Sequence, residues 1–320
     1  MKPTVLILGA AGRIGQVLAT SFAQAGWTVR AQARKALPEA LAALPQIQTV
    51  SCDALDAEAL RAAASGAAVV IHALNPPYAQ WDRLALPLVD AAIAAARSSG
   101  ALLMLPGNVY NYGREIPPLL TPDTPERGDI PKARIRIESE ARIAAANDID
   151  SVVIRSGDFF GGPGRGSWLD LVLATRLKTG RFVYPGPAHL SHAWAYLPDL
   201  AQAFVRVADK RAMLHGHHRL HFAGHTASGD EMRQSLEAVI GRPLRLASMP
   251  WGLMRIVAPF VPTWREVMVM RYLWQRPHRL DGTALSDLVG PLRHTPLPHA
   301  LGAALEELHM LPQPAVLARA

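Results

Sequence analysis

Gly9, Gly12 and Gly15 stand at GxxGxxG spacing behind the apolar run Thr4-Val5-Leu6-Ile7-Leu8, the pattern of a buried strand that turns sharply into a helix. The first glycine permits the tight bend. The second lets backbone N–H groups approach an anion with no Cβ in the way, and the third lets helix pack closely on strand. With the positive end of the helix dipole added, the loop Gly9-Ala10-Ala11-Gly12-Arg13-Ile14-Gly15 is a seat for a dinucleotide pyrophosphate. A second strand candidate, Thr28 to Ala33, follows after one amphipathic helix and is followed by Arg34 and Lys35. No Asp or Glu closes that strand to hold a ribose 2′-hydroxyl, and two cations with Arg13 nearby suit a 2′-phosphate. The residues therefore predict NADP(H) in preference to NAD(H).

The elements that must hold this loop alternate in type. Residues 47–51, 68–72, 102–105 and 151–155 read as short buried strands, and 56–64, 82–99 and 130–146 as helices between them. Short right-handed crossovers then give an α/β fold, a doubly wound parallel sheet with ligand at the carboxyl ends of its strands. After Gly161 the chain becomes rich in Gly and Pro, as in Gly161-Gly162-Pro163-Gly164 and Tyr184-Pro185-Gly186-Pro187. This shift predicts a smaller substrate lobe. We expect residues 1–160, with 189–224 returning to them, to form the nucleotide-binding domain, and 161–188 with 225–320 to form the lobe.

Composition narrows the class. The chain has 320 residues, half of them hydrophobic, enough for a large core of α/β type. The net charge of +7 comes from basic residues scattered along the chain, with no aromatic-interleaved basic motif, so no nucleic-acid partner is expected. Cys52 is the single cysteine, which excludes an internal disulfide and paired-cysteine zinc sites and fits a reducing, cytoplasmic setting. The N-terminal apolar run is too short for a signal-peptide core, and no membrane partner is expected. The apolar stretch Trp251–Trp274 is interrupted by prolines and arginines and reads as a pair of short helices lining a pocket or an interface. His215, His217, His218 and His221 lack a carboxylate at ligand spacing; we expect no metal there and place them around a surface turn before a strand at 220–223.

With these motifs in place the chain resembles the short-chain dehydrogenase/reductase superfamily, in its extended and atypical branch, the NAD-dependent epimerase/dehydratase family. The glycine loop, Cys52-Asp53, the segment Val69-Val70-Ile71-His72-Ala73-Leu74, the junction Arg155-Ser156-Gly157-Asp158-Phe159-Phe160-Gly161 and Tyr196-Leu197-Pro198-Asp199-Leu200 occur in the family's order. The resemblance implies a Rossmann-type fold with a C-terminal substrate lobe. It also implies cofactor contacts from Asp53 to adenine and from Ala73 and Leu74, and a homodimer through the helices at 82–99 and 130–146.

Where the family carries Ser, Tyr and Lys for proton transfer, this chain departs. The register without gaps puts Asn108 at the Ser position, Lys132 at the Tyr position, Arg136 at the Lys position and Glu140 at the acidic position that follows. Lys132, Arg136 and Glu140 lie four residues apart, on one helical stripe. Arg136 can donate to a ribose but stays protonated, so it cannot relay a proton. Lys132 can act as an acid only if its surroundings lower its pKa. Asn108 can donate to a carbonyl oxygen, and Tyr110 or Tyr112 can offer a phenol from the opposite wall.

The resembled fold brings Asn75, Trp81, Phe159, Trp168, His192, Trp194 and Tyr196 toward the cleft, an aromatic lining suited to an apolar or cyclic ligand. Relatives acting on nucleotide sugars commonly carry an Arg for the diphosphate where this chain has His192. Two classes stand. The first is an enzyme, an NADP(H)-dependent oxidoreductase moving a hydride to or from a carbonyl or alcohol carbon of a small molecule, with an epimerase or dehydratase that retains its cofactor as a variant. The second is a non-catalytic module that senses NADP(H).

Overall fold

Strand and helix alternate through the computed structural model, which describes residues 3–77 and 80–311. The first half runs β1 (Thr4–Leu8), α1 (Arg13–Gln24), β2 (Thr28–Ala33), α2 (Glu39–Ala42), β3 (Ile47–Ser51), α3 (Ala57–Ala64), β4 (Ala67–His72), α4 (Trp81–Ser99) and β5 (Leu102–Gly107). It continues with β6 (Leu119–Leu120), α5 (Pro131–Ala145), β7 (Ser151–Arg155) and β8 (Asp158–Phe160). The second half adds β9 (Arg181–Tyr184), β10 (Ser191–Tyr196), α6 (Leu197–Asp209), β11 (His217–His221), β12 (His225–Ser228), α7 (Gly229–Ile240) and β13 (Arg245–Ser248). It ends with α8 (Trp251–Val257), α9 (Pro262–Val269), β14 (Arg279–Leu280), α10 (Thr283–Val289) and α11 (Leu297–Glu307).

Seven parallel strands form the main sheet in the order β3-β2-β1-β4-β5-β7-β11. Its central strands are apolar on both faces because both faces are covered: Val5 and Ile7 face the layer of α1 and α6, while Leu6 and Leu8 face α3 and α4. The order reverses between β1 and β4, which opens a crevice at their carboxyl ends. Gly9 follows β1 at that point.

The strand at 191–196 does not join this sheet. It pairs with β8 and β12 in a separate three-stranded sheet, around which Phe160, Trp194, Tyr184, Phe182 and Trp274 build a second apolar core. The helix at 229–240 begins with a complete capping box, Ser228 and Glu231 each satisfying the other's backbone N–H. The sequence places the histidine-rich segment around a turn before a strand at 220–223; the strand begins earlier, as β11 paired with β7, so His217 and His218 lie in it, His215 precedes it, and His221 is buried beside Arg155. Trp251–Trp274 does contain two short helices, α8 and α9.

Candidate active site

The glycine loop is built as a cradle. Gly9 has φ +82°, and an added Cβ would lie 3.1 Å from the backbone of Ala73 and Leu74. A Cβ on Gly15 would meet the Gly9 carbonyl oxygen at 2.2 Å, so only glycine lets α1 start this close to β1. Gly12 occupies the N-cap with no side-chain oxygen on the first-turn N–H groups, which leaves those donors for an anion. Ala11 and Ile14 pack partly against the core, and the Ala11 carbonyl accepts from Gln16 Nε2 at 2.9 Å. A residue the sequence did not single out fixes the loop from behind. Gln32 is buried in β2, accepts the Gly9 N–H at 3.0 Å and donates to the Cys52 carbonyl at 2.7 Å.

At the end of β2 the Arg34 side chain is 76% exposed, and its nearest carboxylate is Asp53 at 3.9 Å. Lys35 is also exposed. Asp53 uses Oδ1 to accept the Leu55 N–H at 2.9 Å, closing the turn after β3. Arg30 is spent elsewhere, on the Ala63 and Ser65 carbonyls at the end of α3. Arg13 points away from this strand end. Its guanidinium reaches the Phe159 carbonyl at 3.1 Å and the buried Asp170 at 3.4 Å, so its side chain ties the glycine loop to the lobe. The sequence expected it beside Arg34, but the nearer carboxylate attracts it.

The α5 stripe divides its residues between two places. Arg136 lies over the Trp81 ring at 4.7 Å, and Trp81 donates from Nε1 to the Pro76 carbonyl at 2.9 Å. His72, Leu74, Asn75, Trp81 and Arg136 line one small cavity between β4, α4 and α5. Burial, and then the charge of Arg136, hold the His72 imidazole neutral by lowering its pKa to about 3. Lys132 is buried at the start of α5. Glu140 turns the other way, toward β7.

There Arg155, fully buried, donates to Glu140 Oε2 at 2.5 Å, to Glu126 Oε1 at 2.9 Å and to the Asn108 carbonyl at 2.5 Å. Asn111 donates to both carboxylates, at 2.8 and 3.0 Å. Burial raises the Glu140 carboxyl, against the pull of Arg155. Asn108 uses its own Oδ1 to accept the Tyr110 N–H at 3.0 Å. Tyr110 is 7% exposed in the turn after β5. Tyr112 sits behind it, beneath the Arg155 guanidinium at 5.2 Å, with its hydroxyl 3.2 Å from His221 Nε2. His221 donates from Nδ1 to the Leu120 carbonyl, and burial lowers its pKa to about 4, so its Nε2 accepts the Tyr112 proton. The Tyr112 phenol, its own pKa pushed up to about 12 chiefly by burial, is thus committed to the protein interior.

In the lobe His192 lies at the centre of an aromatic group. Its Nε2 is 2.7 Å from Asp158, and its ring stacks on Trp274 at 4.2 Å and meets Trp194 and His278 at 4.8 and 4.5 Å. Trp168 packs edge-on to Trp274 at 4.9 Å. Trp194 is fully buried and bonded to the Ala227 carbonyl, a core residue of this group rather than a surface of it. Three buried polar atoms here have no hydrogen-bond partner among the described residues: the Tyr272 hydroxyl, Trp274 Nε1 and His278 Nε2. Burial raises the Tyr272 phenol, with Asp158 and Asp129 acting in the same direction and Arg114 opposing. Of the sequence candidates, Trp168, His192 and Trp194 come together. Trp81 stands with Arg136, Phe159 with Arg13, and Asn75 is exposed beyond β4. Asp158, Tyr272, Trp274 and His278 were missed, though three of them lie in or just beyond the interrupted apolar stretch.

Residues 1–96 match the model of the NmrA-like family. No curated protein matches the chain in sequence. Solved structures match it over nearly its whole length. The Bordetella bronchiseptica enzyme WbmH in complex with NAD+ is 17% identical, with a TM-score of 0.75 over 97% of this chain and 99% of that one. A UDP-glucose 4-epimerase from Stenotrophomonas maltophila, with bound NAD and formylated UDP-arabinopyranose, is 15% identical with a TM-score of 0.75 over 96% and 98%. The UDP-glucuronic acid 4-epimerase of Bacillus cereus is 15% identical with a TM-score of 0.73 over 96% and 99%. The chain therefore has a Rossmann-type α/β fold, the fold of these epimerase structures, and its first 96 residues match the NmrA-like family.

Proposed function

We propose that this protein is an NADP(H)-dependent oxidoreductase acting on a carbonyl or alcohol carbon of a small apolar or cyclic substrate. The observation that carries the reading is the glycine cradle, with uncapped N–H donors at the start of α1 and two exposed cations, Arg34 and Lys35, at the end of β2. Gly9, Ala11, Gly12, Arg13, Ile14 and Gly15 would hold the pyrophosphate through backbone donors. Arg34 and Lys35 would take a 2′-phosphate, Asp53 the adenine side, and Ala73, Leu74 and Arg136 the nicotinamide ribose side. When bound, the cofactor supplies or takes the hydride.

The chain's own residues must then orient the substrate and manage one proton. Trp168, His192 and the Trp274 ring offer aromatic walls, with Asn75, Trp81 and Phe159 toward the cofactor side and Trp194 behind them. Asn108 lies beside the loop that would face the substrate oxygen. Lys132, Tyr110 and Tyr272 are the groups with a transferable proton on these walls; Tyr112 is held by His221. A redox-neutral epimerisation with retained cofactor is the second reading. The fold likeness to nucleotide-sugar epimerases favours it, and the His192–Asp158 pair where a diphosphate-binding Arg would stand weighs against it.

Fluorescence titration with NADPH and NADH, followed by absorbance of the nicotinamide band with ketones, aldehydes and nucleotide sugars, tests this. NADPH preference with substrate-dependent oxidation is expected. Tighter binding of NADH overturns the cofactor assignment, and binding without any turnover supports a sensor.

A further inference from the structure

Nine large apolar side chains are exposed among the described residues, and four of them, Leu253, Ile256, Phe260 and Trp264, fall within α8, α9 and the turn that joins them. Ile256 is 70% and Phe260 84% exposed. Leu253 and Ile256 lie three residues apart on α8, Phe260 is in the turn, and Trp264 is in the first turn of α9, so all four fall within twelve residues of chain. The opposite side of the pair is anchored: Met254 and Ala258 are buried, Trp251 donates from Nε1 to the Pro185 carbonyl at 2.6 Å, and Arg271 lies over the Trp251 ring at 5.5 Å. Isolated exposed apolar residues are ordinary on soluble proteins; several gathered on one short helix pair mark a surface made to be covered.

The charge around this group selects what covers it. Between Trp251 and Arg276 the chain carries four arginines, Arg255, Arg265, Arg271 and Arg276, against the single acid Glu266. All four arginines are exposed. A second copy docked through the same face would set these cations against each other, because a twofold contact is self-complementary. An anionic lipid surface satisfies both features together. Leu, Ile, Phe and Trp enter the boundary between headgroups and acyl chains, while arginines meet phosphate oxygens. The helices have seven and eight residues, Pro259 falls in the turn between them, and no described helix is long and apolar enough to cross a membrane. The pair can lie on a bilayer but not span it.

We propose that α8 and α9 form a peripheral docking surface for an anionic phospholipid bilayer, with Leu253, Ile256, Phe260 and Trp264 inserted and Arg255 and Arg265 on the headgroups. The same segment continues into Tyr272 and Trp274 of the aromatic group, so docking sets that side of the lobe against the lipid. The inference stands independently of the cofactor assignment.

Flotation of the full chain with vesicles of phosphatidylcholine alone, and of phosphatidylcholine with phosphatidylserine, tests it. The protein should float with the mixed vesicles and stay behind with the neutral ones. The pair Ile256→Ser with Phe260→Ser, and separately Arg255→Gln with Arg265→Gln, should each lower the bound fraction about tenfold, in line with lost apolar burial and lost headgroup attraction. Thermal melting of both variants should match the parent, since these side chains are exposed. Absence from both vesicle types, or equal recovery with both, overturns the proposal. So does a concentration-dependent dimer in size-exclusion chromatography that Phe260→Ser dissolves, which assigns the face to a second copy.

Discussion

Gln32 accepts the Gly9 amide through its side-chain oxygen at 3.0 Å while donating to the Cys52 carbonyl, so one buried amide links the glycine loop to the end of the third strand. Gln32→Leu keeps the volume and removes both bonds, leaving the Cys52 carbonyl without its side-chain partner; the Gly9 amide keeps only its 3.1 Å bond to the Gln32 backbone carbonyl. Stability should fall by about 1–3 kcal/mol, read as a lower midpoint in urea. Dinucleotide affinity should fall with it, because the loop loses its support.

Reversing the charge beyond β2 tests the cofactor assignment directly. In Arg34→Glu with Lys35→Glu, NADPH binding should weaken by about 10- to 100-fold, the loss of one or two charge-assisted contacts, while NADH binding holds or improves. Both side chains are exposed, so the melting temperature should not move. Equal loss for both cofactors would show that these cations do not discriminate a 2′-phosphate.

Glu140 and Arg155 are the most deeply buried members of a charged cluster that also holds Glu126. Glu140→Gln should cost roughly 3–5 kcal/mol by leaving the Arg155 charge short of compensation. The double variant Arg155→Met with Glu140→Gln should lose less than the sum of the two single losses. A double-mutant cycle by chemical denaturation reads the coupling, and strictly additive losses would refute it.

The phenols separate by their surroundings. Tyr112→Phe should lower stability by about 1 kcal/mol through the lost His221 bond and leave kcat unchanged. Tyr272→Phe should lower kcat by about 10²-fold with cofactor binding intact, the usual contribution of a positioned proton donor. If Tyr272→Phe turns over normally, the proton comes from Lys132 or Tyr110.

Acid should destabilise the fold earlier than carboxylate titration would. Burial lowers His72 and His278 to about 3, and His221 and His225 to about 4, from an ordinary 6.5. The unfolded chain takes up these protons below pH 6.5 while the folded chain does not, so stability is full above that value and declines as pH falls toward 4. Each histidine contributes up to about 1.4 kcal/mol per pH unit in this window. The melting temperature should therefore drop between about pH 7 and pH 5, and His221→Phe should flatten the slope, provided its lost bonds are scored at pH 7.

The central strands were legible in the sequence because they are covered on both faces, as Ser151–Arg155 is, while Thr28–Ala33 and the edge strand Ile47–Ser51 were legible from the turns that bound them. The glycine loop was legible for the same reason: its geometry is local. The start of β11 was missed because His217 and His218, polar residues ahead of an apolar run, look like a turn until β7, 66 residues earlier, is placed beside them. The Arg13 side chain went astray likewise, since Asp170 lies 157 residues away. The aromatic group around His192 joins four separated segments, and no spacing along the chain announces such a meeting.

The Tyr112–His221 bond also governs where the chain can be cut. A fragment ending near residue 160 would contain the whole glycine loop, yet it would lack β11, leaving β7 as a bare sheet edge with Arg155 and the Tyr112 hydroxyl opened to water. During synthesis the β7 edge of the main sheet is sealed only once residues 217–221 have emerged, so until then it is open to pairing with other chains.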